Sequence, residues 1–187
     1  KQMAEQATEI NVEKLVTGIV NVIEKEREQE IVSRRFGLND RKETLEQIGE
    51  LLGITRERVR QLEKAVVSRL KTRAEKGDLP NITEIENTLV ELVTDMGSAA
   101  RVSNLSAKLT KENSRIDQSR VSFLTKLCPK LTVLDENDYF FQGVALSSKY
   151  NEKQLKNRVE SVISAIKTIG EPTTIDKIAT EDGKGTA

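Results

Sequence analysis

Two helix-start signals, Thr44 and Thr55, flank Gly53, and their spacing leaves one economical way to fold the segment TLEQIGELLGITRERVRQLEKAVVSRLK at 44–71. Thr44 followed by Gln47 is a T-x-x-Q capping box, in which the hydroxyl accepts from the third backbone N–H and the amide returns to Thr44. Leu45, Ile48, Leu51 and Leu52 then recur at helical steps, giving one apolar stripe on a helix of about two turns. Gly53 ends it, because the residue past a last turn often takes φ > 0, which only glycine adopts without steric cost. Thr55 caps a second helix in which Val59, Leu62 and Val66 face inward. Gly49, Gly53 and Val59 stand where a helix-turn-helix needs a small residue at the crossing, a turn glycine and an apolar anchor.

The outward face of the second helix carries the chemistry. Arg56, Glu57, Arg60 and Gln61 share that face in the first turns, the part such a motif pushes deepest into the DNA major groove. An Arg fork suits guanine O6 and N7, a Gln amide suits adenine N6 and N7, and a carboxylate accepts from cytosine N4. From Arg56 to Lys76 there are eight Lys or Arg against three Glu, the local positive charge that phosphates require. Alternating Arg and Glu alone would describe a solvated helix face. The caps and the glycine placement favour groove binding.

These residues also carry a family resemblance. FGL at 36–38, TLEQIGELLGITRERVRQLE at 44–63 and SRLK at 68–71 resemble region 4 of the sigma-70 family of bacterial transcription initiation factors, over about residues 15–75. The resemblance implies recognition of a promoter −35 element and docking on the RNA polymerase core through its β flap. It carries base-reading roles onto Arg56, Glu57, Arg60 and Gln61, and positions near the DNA backbone onto Arg35 and Thr44. With Thr55, Arg58, Lys64 and Lys71 of the same motif, these form the expected DNA-binding set. Ala65 and Ser68 stand where the family usually carries basic residues, a departure at the patch that activators contact.

Residues 5–36 read as helical, with Ile10, Val12, Leu15, Ile19, Val22, Ile23, Ile31 and Val32 on an imperfect apolar stripe. Packing under the helix-turn-helix accounts for such a stripe; the resemblance adds a groove for the polymerase flap. Phe36 and Gly37 close the helix, and Leu38 to Glu43 is a polar connection. Gly77, Asp78, Pro80 and Asn81 form a turn cluster that divides a first domain, 1–77, from a second, 78–150. In the second, helices are expected over 82–96, 102–109 and 118–127. A β-hairpin follows, with Leu131 and Val133 on one strand, a turn at Asp135 to Asp138, and Tyr139, Phe140 and Phe141 on the other. Three helices and then a hairpin is a winged-helix order, and it resembles the HARE-type helix-turn-helix domain also found in the polymerase delta subunit. The fold class is therefore mainly α, a helix-turn-helix domain plus a winged-helix-like α+β domain with a small hairpin. Residues 79–150 hold eight basic against nine acidic side chains, so a protein-interaction role for this domain is as well supported as DNA binding. Residues 151–187 open with Leu155, Val159, Val162, Ile163 and Ile166 at helical spacing. The IGEPTTIDKIA that follows repeats the logic of DMGSAARVSNLSAKL, so a further helical unit begins there and is cut short.

Composition removes several function classes. Net charge is zero, aromatics are 3% and Trp is absent, which disfavours a stacking platform for single strands. No run reaches the roughly 20 apolar residues of a membrane span, and no signal-peptide pattern opens the chain; the reading is cytoplasmic. Cys128 is the one cysteine and there is no histidine, which excludes disulfides, Cys/His zinc sites and His acid–base catalysis within the chain. Cys128 reads as a small core residue, and Asp135, Glu136 and Asp138 as a solvated turn rather than a metal site. No Gly-rich phosphate loop or nucleophile elbow occurs, so the chain is expected to be no enzyme, with no cofactor, no metal and no small-molecule substrate. The chain opens at Lys1 rather than Met and lacks an upstream aromatic-rich helix for promoter melting. It reads as a C-terminal fragment of a sigma factor or a stand-alone region-4 protein. The alternatives are a dimeric DNA-binding regulator reading a two-fold site, or a module that binds polymerase or sigma factor without DNA.

Overall fold

Helix starts in this chain follow local capping chemistry, and burial decides how the helices stack. The computed structural model describes residues 10–184. Asn11 opens α1 (Val12–Val20) by accepting from the Lys14 N–H at 2.9 Å, and α2 (Glu26–Phe36) ends on left-handed Gly37. The single helix expected over 5–36 is thus two helices, broken at Asn21–Lys25; residues 5–9 of that expectation lie outside the described ones. The pattern itself supplies the reason. Val16, Ile19 and Ile23 keep one buried face, but continuing the helix would bring charged Glu26 and Arg27 onto it, where unpaired charge is costly. The chain turns instead, and the Gln29 amide donates to the Ile23 carbonyl at 2.6 Å.

After α3 (Leu45–Leu52) and α4 (Arg56–Glu75), a turn through Gly77 and Asn81 leads to α5 (Ile82–Asp95), β1 (Ala99–Arg101), α6 (Val102–Leu109), α7 (Arg115–Leu127), β2 (Leu131–Leu134) and β3 (Gly143–Leu146). The three strands form one antiparallel sheet in the order β1-β3-β2, with Ala99 opposite Ala145 and Leu131 opposite Leu146. Helix α7 starts at Arg115, ahead of the expected Gln118, because Ser114 and Asp117 make a reciprocal capping box. The second hairpin strand is also displaced. Tyr139, Phe140 and Phe141 lie in the connecting loop, where the Asn137 side-chain oxygen accepts from the N–H groups of Tyr139 (2.8 Å) and Phe140 (3.1 Å). That Asx turn removes them from the ladder, and Gly143–Leu146 becomes the central strand between β1, absent from the sequence expectation, and β2. α8 (Glu152–Ile169) and α9 (Ile175–Lys184) follow, joined at left-handed Gly170. Leu155 of α8 is buried on the sheet beside Leu134 and Ala145, whereas Ile166, the last residue of its expected stripe, is exposed.

The main core runs without a break from Val12 of α1 to Leu146 of β3, across the turn at Gly77. Helix α7 sits at its centre: Val121, Phe123 and Leu124 are fully buried, and the Phe123 ring lies 5.1 Å from that of Phe36 on α2. Arg120 adds polar ties, donating from Nε to the Leu38 carbonyl at 2.9 Å and meeting Glu13 at 3.3 Å. Leu38 is itself buried, an anchor inside the connection that the sequence marks as polar. A smaller cluster of Ile31, Ile48 and Val59 holds α2, α3 and α4 together. The buried Glu28 carboxylate, paired with Arg69, ties α2 to α4 a second time. Cys128 is buried, and that burial pushes its thiol pKa up to about 12, so it packs as a core residue. Among the described residues no helix is long and apolar enough to cross a membrane.

Because Phe123 is shared by elements on both sides of Gly77, Phe123→Ala should cost about 3–5 kcal/mol. Far-UV circular dichroism during urea unfolding should show one transition for wild type, shifted as a whole in the variant. Loss of α5–α7 at low urea with α2–α4 unchanged would contradict a common core.

Candidate nucleic-acid interface

The turn between α3 and α4 is fixed by packing rather than by propensity alone. Thr44 and Gln47 form the full capping box, with N–H to oxygen distances of 3.2 and 2.9 Å, and Gly53 is left-handed at φ 64°. Gly49 has a different reason to be glycine: a Cβ there would stand 2.7 Å from the Ile54 carbonyl oxygen, closer than packed atoms come. The backbone of the turn therefore lies directly on α3. Thr55 then starts α4 by accepting from the Arg58 N–H at 3.1 Å, and Val59 is locked between Ile31 and Ile48. One expectation fails here. Leu51, placed on the α3 stripe with Ile48, is 55% exposed; α3 is so short that Leu45, Ile48 and Leu52 already fill the space against α2 and α4.

With α4 held in this way, its first turns project Arg56, Glu57, Arg58, Arg60 and Gln61 into solvent. They are not independent. Arg60 makes a two-pronged pair with Glu57, Nη2 to Oε1 at 2.7 Å and Nε to Oε2 at 2.9 Å, and Gln61 donates to the same carboxylate at 3.3 Å. Arg58 reaches the Gln61 oxygen at 3.4 Å. The hydrogen bonds from Arg60 hold the Glu57 carboxyl pKa down at about 2, and the same bonds raise that of the Arg60 guanidinium. Arg56 turns instead to Glu46 on α3, 3.0 Å away. Glu46 escaped the sequence reading, since only the α3–α4 crossing brings it near Arg56.

The remaining expected residues divide into three places. Thr44 and Thr55 are exposed but use their hydroxyls as caps. Arg35 is half-buried and tied back to α4, meeting Glu63 at 3.4 Å while donating to the Glu43 carbonyl at 3.2 Å. Lys64 and Lys71 continue along the helix from Arg60 and line a groove of about 820 Å³, which Lys126 of α7, Thr132 of β2 and Asn151, the cap of α8, also line. A cationic strip thus extends from the first turns of α4 toward its C-terminal half. That arrangement can meet base edges at one end and phosphates along the rest.

Comparison with known proteins falls on this same segment. Residues 25–72 match the family described as Sigma-70, region 4, a span that begins at the N-cap of α2 and ends inside α4. Over 48 residues the chain is 46% identical to "RNA polymerase sigma factor sigB" of Arabidopsis thaliana, covering 25% of this chain and 8% of that protein. Over 47 residues it is 47% identical to "RNA polymerase sigma factor SigA" of Bacillus sp, covering 25% of this chain and 12% of that protein. The chain therefore matches only a small part of the length of either relative. α1 and everything after residue 72 lie outside the family match.

The Glu57–Arg60 geometry makes a direct pH prediction. A lowered carboxyl pKa means that the pairing is present at neutral pH and is lost only as pH falls toward about 2. Carboxyl carbon shifts followed by NMR should place the Glu57 midpoint near that value, and Arg60→Ala should return it to the ordinary carboxylate range. A midpoint unchanged by the substitution would rule the pair out.

Proposed function

We propose that residues 26–75 bind duplex DNA by seating the first turns of α4 in the major groove, where Arg56, Glu57, Arg60 and Gln61 read a promoter −35-like element. The same unit docks on the bacterial RNA polymerase core, so that the chain acts in transcription initiation in the cytoplasm as a non-catalytic factor. One observation carries the reading. The base-reading side chains stand exposed together on a helix whose angle is set by Val59, by the Thr55 cap and by the close turn at Gly49. The match of residues 25–72 to sigma-70 region 4 supports it independently.

Polymerase docking needs an open surface, and the apolar stripe of α1 is not one, since Val12, Val16 and Ile19 are buried in the shared core. A groove of about 580 Å³ remains between α1 and α2, with Val16 and Val20 beside Glu26, Glu30 and Arg34. Val16 and Leu38 in this groove are buried, so the β flap implied by the resemblance would meet Val20 and the polar side chains around it. The order α5-β1-α6-α7-β2-β3, with β3 in the middle of the sheet, supports reading residues 82–146 as a winged helix. Its third helix is the one a winged helix would place in a groove. In this chain the middle of α7 is buried against α1, α2 and α4, so the second unit acts as a buttress for the reader rather than as a second reader through α7.

Selection from a random duplex library at low salt, with and without core RNA polymerase, tests the reading. An asymmetric hexamer is expected; a palindrome selected without polymerase would replace the proposal with a two-fold regulator, and no enrichment in either condition would sink DNA reading altogether. On the selected site, Arg60→Ala should lose roughly tenfold to a hundredfold in affinity and relax preference at one base pair. Lys71→Ala should weaken all sequences alike and flatten the salt dependence by about one phosphate.

A further inference from the structure

Most arginines among the described residues meet a carboxylate, and of the others Arg27 donates to the Leu52 carbonyl and Arg58 to the Gln61 amide oxygen. Arg41, Arg101 and Arg115 have neither kind of partner, and they come together around one groove at the seam between the two units. Arg41 and Lys42, from the connection ahead of α3, form one wall of this groove of about 670 Å³. Arg115, Gln118 and Ser119, from the first turns of α7, face them, and Arg101 lies over the ring of Phe141, 4.8 Å from its centroid, at the rim. Phe141 is 66% exposed there. Asp40 and Glu136 also line the groove, yet neither pairs with these cations. Three arginines without a paired carboxylate leave the groove with a surplus of positive charge, which a bound polyanion would meet.

Two placements identify the polyanion. Lys42 is two residues from Thr44, the cap of α3, and in a helix-turn-helix the first helix crosses the DNA backbone. The seam groove also adjoins the one lined by Lys64 and Lys71, with only the hairpin loop between them. Asp135 lines the α4 side of that loop, while its hydrogen-bond partner Gln142, at 2.9 Å, lines the seam side. We propose that the seam groove is a second DNA-binding surface, in which Arg41, Lys42, Arg101 and Arg115 take phosphodiester groups of the duplex flanking the segment that α4 reads. The second unit thereby adds affinity without base recognition. The placement, though not the chemistry, rests on the reading of DNA by α4.

The test uses the full chain and duplexes that either extend one helical turn beyond the selected site or stop at it. Affinity is measured by fluorescence anisotropy across a series of salt concentrations. Arg115→Ala and the double change Arg41→Ala with Lys42→Ala should each flatten the plot of log affinity against log salt by about one unit for every phosphate that is no longer neutralised, on selected and scrambled sequences alike. Arg115→Lys should restore the slope, and Glu136→Lys should steepen it, a gain that misfolding does not produce. Duplexes without the flank should show none of these differences. Unchanged slopes on flanked duplexes would overturn the proposal, as would binding of a poly-glutamate peptide that Arg115→Ala abolishes while the DNA slopes stay the same. Sequence preference keeps the two readings apart. If wild type shows no sequence preference but Arg115→Ala still flattens the slope, the seam surface stands and base reading by α4 falls.

Discussion

Phe123 packs its ring against Phe36 where α1, α2 and α4 converge on α7, and the placement of α4 and of the first turns of α7 follows from that packing. A helix-turn-helix of three short helices has little core of its own: here Ile31, Ile48 and Val59 are its fully buried residues in a cluster separate from the main one. Small cores leave little net stability once chain entropy is subtracted. The C-terminal half of α4 is therefore fastened elsewhere, through Val66, Leu70 and Ala74 in the large core shared with α5 and α7, and through Arg69 on buried Glu28. The N-terminal half is left to project. One helix thus has an anchored end and an exposed end.

The same burial redistributes the surfaces available to partners. Apolar residues that could have formed an open docking stripe on α1 are consumed by packing against the second unit. The first turns of α7, rather than its middle, remain accessible, and they carry Arg115, Gln118 and Ser119 to the seam. Because the units meet through α7, polar groups from both are brought to a common edge that neither possesses alone. Arg120 shows how firm the junction is, since its guanidinium, largely buried, bonds both the Leu38 carbonyl and Glu13 of the first unit.

What the sequence made legible was local chemistry. Thr44 with Gln47, Thr55, Gly37 and Gly53 could all be read because caps and left-handed glycines act within a few residues. What escaped depended on distant partners. The break between α1 and α2 follows from which face is buried under α7, and periodicity alone ran the two helices together. Strand β3 was misplaced because aromatic Tyr139 to Phe141 outscored Gly143–Leu146, whose strand character comes from having a partner on both sides. Leu51 fits the helical period as well as Ile48, and only the shortness of α3 leaves it outside the core. In the interface, the exposed face of α4 was legible from period, whereas the Arg56–Glu46 pair, the tether of Arg35 to Glu63 and the seam cluster needed the crossing of elements far apart in sequence.

The pairing among Glu57, Arg60 and Gln61 is compatible with a reading role because of where it lies. In solvent, an exposed carboxylate–guanidinium pair is worth little, since water and salt screen it and two long side chains must be ordered to make it. In a major groove an Arg fork suits guanine O6 and N7, and a bidentate hydrogen-bonded pair there discriminates between bases. Glu57 also accepts from Gln61, so Arg60 and Gln61 meet on one carboxylate along α4. The one carboxylate in these first turns of α4 is thus the group on which its cationic and amide neighbours converge.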